Sequence, residues 1–297
     1  MTRDTHPILL QSFTDPMMGL SYEMEPIFRR LETHYPNLIT FQNCMALLVR
    51  DVYDFVNPAD LALGKEIALE RYLPRLAAIY RAEEAISHMP ICMEICHLFD
   101  TEHTSTWPLN LAYKAVERVA PNRAQQFLYA LRFATVVECR QTTRAEEIKD
   151  VVRQCSVNEE DFLNCIADGR AEKDLLADLA LCRHYRITGL PAYRLAYKES
   201  EMLLHGVLPY ETFTDAIAKL TDNAVAPQHV SSCPDALFDF IKRHPLISPI
   251  ELKEAFDLPD TETVRRLLKE PIANGALRVL PVCHGYFFSY HVGKETV

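Results

Sequence analysis

The stretch that decides the fold is residues 8–44, which read ILLQSFTDPMMGLSYEMEPIFRRLETHYPNLITFQNC. Residues 8–13 form a short, mostly apolar run that is typical of a buried strand, and residues 38–44 form a second. Between them, from Tyr22 to Tyr35, apolar residues recur at the spacing of a helix with one buried face. The order strand, helix, strand favours two parallel strands joined by a right-handed crossover.

The composition of the 297-residue chain excludes several classes of protein. With 48% hydrophobic and 24% charged residues, it is neither wholly disordered nor collagen-like. Its net charge of −10 argues against broad binding to nucleic acid or to anionic membranes. No apolar run is long enough to span a membrane, and residues 1–7 lack the pattern of a secretory signal. We therefore expect a cytoplasmic protein.

The nine cysteines are scattered and form no Cys-x-x-Cys pair. In a reducing cytoplasm we expect nine free thiols, several of them buried. The closest cluster, Cys92, Cys96 and His97, has no second pair of suitable spacing, so free thiols are favoured there over a metal site. The histidines form no zinc-enzyme pattern either, and we predict no metal and no cofactor.

Helical periodicity continues almost without interruption over residues 58–185. A strand hairpin follows at 192–206, then a helix at 210–220 and a polar linker at 221–233. The tail predicts three helices and two strands, in the order of a winged helix-turn-helix. Their ranges are 236–243, 249–256 and 261–273 for the helices and 276–280 and 286–290 for the strands.

The junction at 13–26 resembles the DsbA-like branch of the thioredoxin superfamily, in which the first strand ends in Asp-Pro and a Cys-x-x-Cys opens the helix. Here Asp15-Pro16 is present, and Met18 and Ser21 stand at the two cysteine positions. Gly189-Leu190-Pro191 is similar to the cis-proline loop of that family, with Leu190–Pro191 expected to be cis. Residues 106–115 resemble the Ser-x-Pro-Ala-x-x-Ala-x-Lys-Ala run of its helical insertion.

The resemblance implies an α/β (α+β) chain with a thioredoxin-like fold, a large helical insertion and a C-terminal winged-helix-like domain. The thioredoxin-like domain would be split between residues 1–57 and 184–226, with the insertion at 58–183 between the two parts. The winged-helix-like domain would occupy residues 232–292 and pack against the thioredoxin-like part or offer a docking surface.

The departure from the family pattern predicts the loss of its chemistry. Disulfide exchange needs an attacking thiolate and a second thiol. Met18 cannot attack, and Ser21 is a poor nucleophile without a base. We therefore expect no catalytic residue at this helix start. Instead, we expect an apolar groove that binds an extended partner without a covalent bond. Its residues are Met17, Met18, Leu20, Ser21, Tyr22, Leu190 and Pro191.

Ser21 also has two interpretations. In the first, its hydroxyl satisfies backbone N–H groups in the first helical turn. Kappa-class glutathione transferases and chromene carboxylate isomerases, of the same superfamily, place a serine at this helix start. Their serine stands at the first thiol position, which is Met18 here, so we favour the capping interpretation.

One subgroup is similar over more of the chain: cytosolic DsbA-like adaptors that present the regulator Spx to the ClpXP protease. It has a comparable length and a His-Gly-aromatic turn like His284-Gly285-Tyr286. The resemblance implies a redox-inactive adaptor or chaperone-like protein whose partners are a client and a protease such as ClpXP. One alternative stays open: a thiol–disulfide oxidoreductase of the DsbA or FrnE type, or a glutathione-dependent isomerase or transferase, that uses Ser21 or a displaced cysteine such as Cys44.

A second alternative is DNA recognition by the third helix of the tail, which carries Arg265, Arg266 and Lys269, with Arg278 beyond it. Nearby carboxylates would repel phosphates, so we predict that nucleic acid is not a partner. These acidic residues are Glu251, Glu254, Asp257, Asp260, Glu262 and Glu270.

Overall fold

A four-stranded sheet carries the N-terminal part of the chain in the computed structural model, which describes residues 6–290. Residues 1–5 and 291–292 of the predicted domains lie outside the described residues. The strand order is β2-β1-β3-β4. The strands are β1 (Ile8–Thr14), β2 (Ile39–Met45), β3 (Ala192–Tyr197) and β4 (Ser200–His205).

The pairing of these strands agrees with the predicted order. β1 and β2 run parallel, as predicted, with Phe13 beside Cys44. β3 runs antiparallel to β1, with Ala192 opposite Phe13, and forms the predicted hairpin with β4. β1, β2 and β3 therefore meet at Phe13, one residue before β1 ends.

Two helices, and not the predicted single one, join β1 to β2: α1 (Gly19–Glu23) and α2 (Glu25–His34). The chain changes direction at Met24, which ends α1 and begins α2. Pro26 explains the break, because it has no N–H to donate to the carbonyl of Tyr22 four residues earlier.

The predicted insertion contains seven α-helices. Five of them lie within two residues of the segments that helical periodicity predicts, which are 109–119, 124–136, 146–155, 159–166 and 171–185. Residues 84–106 form neither helix nor strand, so the prediction of nearly continuous helix was wrong there. Met89, Ile91 and Met93 alternate into the core, which requires an extended backbone. The helices are α3 (Pro58–Leu61), α4 (Lys65–Glu83), α5 (Trp107–Val119), α6 (Ala124–Val136), α7 (Ala145–Gln154), α8 (Glu159–Ala167) and α9 (Arg170–His184).

The C-terminal part has the predicted helices and hairpin, with two differences. The predicted third helix divides at Leu268, since Pro271 cannot continue the backbone hydrogen bonds of the preceding turn. A short additional strand completes a three-stranded sheet of order β5-β7-β6. The elements are α10 (Tyr210–Leu220), α11 (Pro234–Arg243), β5 (Leu246–Ile247), α12 (Pro249–Ala255), α13 (Thr261–Leu267), α14 (Lys269–Ala273), β6 (Arg278–Val282) and β7 (Gly285–Ser289).

Ion pairs join α2 to α12 and to Asp257, which lies two residues beyond the end of α12. Arg29 Nε lies 3.0 Å from Glu251 Oε1, and Arg30 Nη2 lies 2.8 Å from Asp257 Oδ1. Glu254 also pairs with Arg30, at 3.7 Å. These three carboxylates were expected to repel DNA from the tail. In the structure these carboxylates pair with arginines of α2, which partly neutralises their charge; that nucleic acid is not a partner stays a prediction.

A disulfide joins Cys92 of the insertion to Cys283, which begins the turn between β6 and β7. The prediction of nine free thiols was therefore wrong, and seven cysteines are free. The two partners are 191 residues apart in sequence. They meet because the β6–β7 hairpin packs on the insertion, with the rings of Phe133 and Phe287 4.9 Å apart.

Candidate partner-binding site

A buried carboxylate organises the end of β1. Asp15 Oδ1 accepts a hydrogen bond from Met17 N at 3.0 Å, and Oδ2 accepts three, from Leu48 N, Thr106 Oγ1 and Asn110 Nδ2, each at 2.8 Å. Burial raises the pKa of Asp15, and these four donors oppose that shift. Asp15 and Thr106 belong to the two motifs that resemble the DsbA-like family, so the fold brings those motifs into direct contact.

The helix start that follows is covered by α4. Met18 precedes the first residue of α1 and is 7% exposed. Tyr80 Oη of α4 donates a hydrogen bond to the Met17 carbonyl at 2.6 Å. The Glu83 carboxylate lies so close to Gly19 that a Cβ atom on residue 19 would collide with it. The place where a related enzyme would present its first thiol is thus a buried thioether beneath a helix of the insertion.

The residues after α4 hold α1 at two further points. Tyr22 Oη donates to the Pro90 carbonyl at 3.0 Å. Glu23 Oε2 accepts from Ser87 N at 3.0 Å and from Ser87 Oγ at 2.6 Å. Burial raises the pKa of Glu23 to about 8 and that of Glu83 to about 7, and the Ser87 bonds oppose the shift at Glu23. No sequence pattern indicated that Ser87 or Pro90 would belong to the site.

Ser21 is 3% exposed, and its hydroxyl belongs to a buried polar chain. Thr14 Oγ1 donates to Ser21 Oγ at 2.8 Å, and Arg132 Nη2 donates to Thr14 Oγ1 at 2.7 Å. Arg132 Nη1 lies 2.6 Å from Glu25 Oε1. The expectation that Ser21 caps backbone N–H groups was wrong, because its partner is the Thr14 side chain. Neither Thr14 nor Arg132 can act as a base for Ser21, so the hydroxyl is not activated as a nucleophile.

The cis-proline prediction was correct: the Leu190–Pro191 bond is cis. Because Ala192 pairs with Phe13, Pro191 lies beside Thr14, at the end of β1 from which α1 begins. The Pro191 carbonyl accepts a hydrogen bond from Gly206 N at 2.8 Å. Within residues 6–290, the backbone N–H and C=O of Leu190 have no hydrogen-bond partner. This loop therefore offers unpaired backbone groups at the predicted site.

The seven predicted groove residues do not all reach the surface. Leu20 and Leu190 are half-buried, so part of each side chain is available to a partner. The other five, Met17, Met18, Ser21, Tyr22 and Pro191, are buried within the chain itself. Met17 and Tyr22 pack in the core of the insertion, whereas Leu190 packs against residues of α9.

A pair of thiols lies on the α9 side of the sheet. Cys44 Sγ at the end of β2 is 3.9 Å from Cys182 Sγ in the last turn of α9. Cys44 was singled out from the sequence as a displaced cysteine, but its neighbour 138 residues away was not. Both belong to the small hydrophobic cluster that contains Phe13 and Leu190. Across residues 6–290, no group of three or more His, Cys, Asp or Glu side chains could hold a metal ion.

The fold and this helix start define a DsbA-like member of the thioredoxin superfamily whose usual cysteine pair is absent. A family model described as Thioredoxin matches residues 11–215, and the chain belongs to that family. No helix in the described part of the chain is long and apolar enough to span a membrane.

Curated relatives match nearly the whole chain. The ClpXP adapter protein SpxH of Halalkalibacterium halodurans is 20% identical over 287 residues, which cover 96% of this chain and 89% of the relative. SpxH of Bacillus subtilis is 20% identical over 286 residues, with 95% and 89% covered.

Solved structures of disulfide enzymes share the fold. A probable DsbA oxidoreductase from Streptomyces coelicolor superimposes with a TM-score of 0.55 at 16% identity, covering 76% of this chain and 94% of that one. The cytosolic disulfide reductase DsbM from Pseudomonas aeruginosa gives 0.51 at 16% identity, covering 71% and 99%.

Proposed function

We propose that this protein is a cytoplasmic adaptor that holds a client protein non-covalently and presents it to a protease of the ClpXP type. One observation carries the proposal. The helix start that would bear the reactive thiols has Met18 and Ser21 instead, and α4 covers it. A protein that reaches this end of the sheet can be bound there but cannot exchange disulfides with α1.

The similarity to SpxH supports the adaptor role, because it extends over 96% of the chain and so includes most of the C-terminal part. The proposed client is an Spx-type regulator, and a chaperone-like role would use the same contacts. The C-terminal part would then contribute to the docking of the client or the protease.

The proposed client-binding surface is the loop at Leu190 together with the exposed part of Leu20. An extended client segment can pair with the free N–H and C=O of Leu190, as in the addition of a strand to a sheet. The half-buried side chains of Leu20 and Leu190 would supply apolar contacts beside those backbone hydrogen bonds.

The test measures ATP-dependent degradation of Spx from the source cell by its ClpXP, with and without the purified chain. We expect the chain to accelerate degradation by about tenfold or more, because tethering raises the effective client concentration. Leu190→Asp should remove most of that acceleration. Leu176→Asp, at a 50% exposed position on α9, is the matched control and should keep it.

Equal degradation rates with and without the chain would contradict the proposal. The oxidoreductase alternative is tested in parallel by insulin reduction with a thiol reductant. We expect insulin to be reduced in the presence of the chain at the same rate as by the reductant alone. Turnover that Ser21→Ala abolishes would contradict the non-covalent role and support an enzyme.

A further inference from the structure

The contact between Cys44 and Cys182 has the geometry of a dithiol site separate from α1. The two Sγ atoms are 3.9 Å apart, so a change of side-chain rotamer could bring them to bonding distance. Cys44 comes from β2 and Cys182 from α9, and each of these elements is anchored by its own packing. Two thiols held together in this way can be oxidised to a disulfide although they are 138 residues apart in sequence.

The two thiols differ in exposure and in acidity. Cys182 is half-buried in the last turn of α9, whereas Cys44 is 0% exposed. The hydrogen bond from the Cys44 thiol lowers the pKa of Cys182. The same contact, together with burial, raises the pKa of Cys44. Cys182 is therefore the thiol that can be reached and ionised first, and Cys44 is the neutral thiol beside it.

The surroundings keep the pair in place and restrict access to it. Cys44 Sγ also lies 3.5 Å from the Asp178 carbonyl oxygen, a second acceptor for its single proton, and the Asp178 carboxylate pairs with Lys114 at 3.0 Å. Tyr185 and Leu190 pack in the same cluster as the thiols. A partly covered sulfur in such a cluster suits a small reagent better than the disulfide of a folded protein.

We propose that Cys44 and Cys182 form a redox-modifiable dithiol that a low-molecular-weight disulfide such as oxidised glutathione converts to an intramolecular disulfide. The Cys182 thiolate attacks one sulfur of the reagent, forms a mixed disulfide and releases one thiolate, which takes up the proton that Cys182 gave to solvent. Cys44 then attacks Cys182 Sγ, and its proton leaves with the second thiol. Two protein thiols are oxidised, and one small disulfide is reduced to two thiols.

This inference does not rest on the proposed adaptor function, although the thiol pair shares a hydrophobic cluster with Leu190 of the proposed client-binding loop. The pair lies on the α9 side of the sheet and not at α1, and its reaction partner is a small molecule. Loss of the dithiol reaction would leave the client assay unaffected, and failure of the client assay would leave the dithiol reaction unaffected.

The experiment exposes the fully reduced, full-length chain to oxidised glutathione. Remaining thiols are then alkylated in denaturant, and peptides are mapped without reduction. We expect a peptide linked through Cys44 and Cys182 in the wild type. In Cys44→Ser, the reaction should stop at the first step, with one glutathione attached to Cys182. Cys155 and Cys165, both buried and free, are internal controls and should react at least about tenfold more slowly.

Three results would overturn the proposal. The first is recovery of Cys44 and Cys182 as alkylated thiols in the wild type. The second is the absence of a glutathione adduct at Cys182 in Cys44→Ser. The third is modification of Cys155 and Cys165 at the same rate, which would indicate unfolding and not a selective site. Circular dichroism of each variant distinguishes a lost site from a lost fold.

Discussion

The two sides of the sheet at the end of β1 differ in their chemistry. On the α1 side, Met18 and Ser21 carry no thiol and are buried, and α4 contacts the neighbouring Met17 and Gly19. On the α9 side, Cys44 and Cys182 are in contact, and Cys182 is partly exposed. The fold keeps the helix start and the cis-proline loop of disulfide enzymes, so the fold alone does not reveal the chemistry. Individual side chains and their exposure decide it.

Restoring the cysteines on the α1 side is the change with the largest expected effect. In Met18→Cys with Ser21→Cys, the new thiols should react with Ellman's reagent at least about a hundredfold more slowly than exposed Cys233. Because α4 covers the helix start, the reagent reaches these thiols only when the structure opens locally. Peptide mass spectrometry would assign the reacting thiols. Reaction as fast as that of Cys233 would show that α4 does not cover the site.

The disulfide that ties the insertion to the C-terminal hairpin should contribute strongly to stability. Cys283→Ser should lower the free energy of unfolding by about 2–4 kcal/mol in non-reducing urea, because it removes a long-range cross-link. Cys233→Ser, at an exposed free thiol, is the control and should have no such effect. Thiol counting in denaturant should find seven thiols before reduction and nine after it; nine before reduction would contradict the pairing.

Asp15, whose carboxylate joins the two family motifs, should make the next largest contribution to the free energy of unfolding. Asp15→Asn should lower the free energy of unfolding by about 2 kcal/mol. The new side-chain NH2 group would face groups such as Leu48 N–H and Asn110 Nδ2, which now donate hydrogen bonds to the carboxylate. Asp54→Asn, at an exposed position, should change it by less than about 0.5 kcal/mol. Urea midpoints measure both, and equal midpoints would contradict the role assigned to Asp15.

A smaller effect is expected from pH. The pKa values of Glu23 and Glu83 are raised in the folded chain from 4.5 to about 8 and about 7, so between those limits the folded state binds more protons than the unfolded state. Stability should therefore fall as pH rises from about 5 to 8 and level off above it. Glu83→Gln should raise stability at pH 8 by about 1 kcal/mol and reduce the slope. Exposed Glu70→Gln should do neither, and an unchanged slope in Glu83→Gln would contradict the burial of Glu83.

Local pattern was sufficient to predict the four strands of the first sheet and the helices α5–α9, because apolar runs and helical periodicity are encoded within a few positions. The cis-proline loop and the positions of Met18 and Ser21 at the helix start came instead from the resemblance to the DsbA-like family. Pro26 and Pro271 could have indicated the two helix breaks, because each removes a backbone donor.

The features that were missed depend on packing between distant segments. Tyr80 and Glu83 cover α1 only because α4 folds back on it, and Cys182 meets Cys44 only because α9 packs on β2. Glu251 and Glu254 of α12 meet Arg29 and Arg30 of α2 in the same way. No periodicity within one segment reports which other segment will lie against it.

The most direct test of the non-covalent role is ClpXP degradation of the client in the presence of a chain that lacks both Cys44 and Cys182. Spx degradation by ClpXP would be measured with wild-type protein and with the double variant Cys44→Ser, Cys182→Ser, both in excess reductant. The account predicts that both proteins accelerate degradation equally, by about tenfold or more. Loss of acceleration in the folded double variant, or no acceleration by either protein, would contradict it.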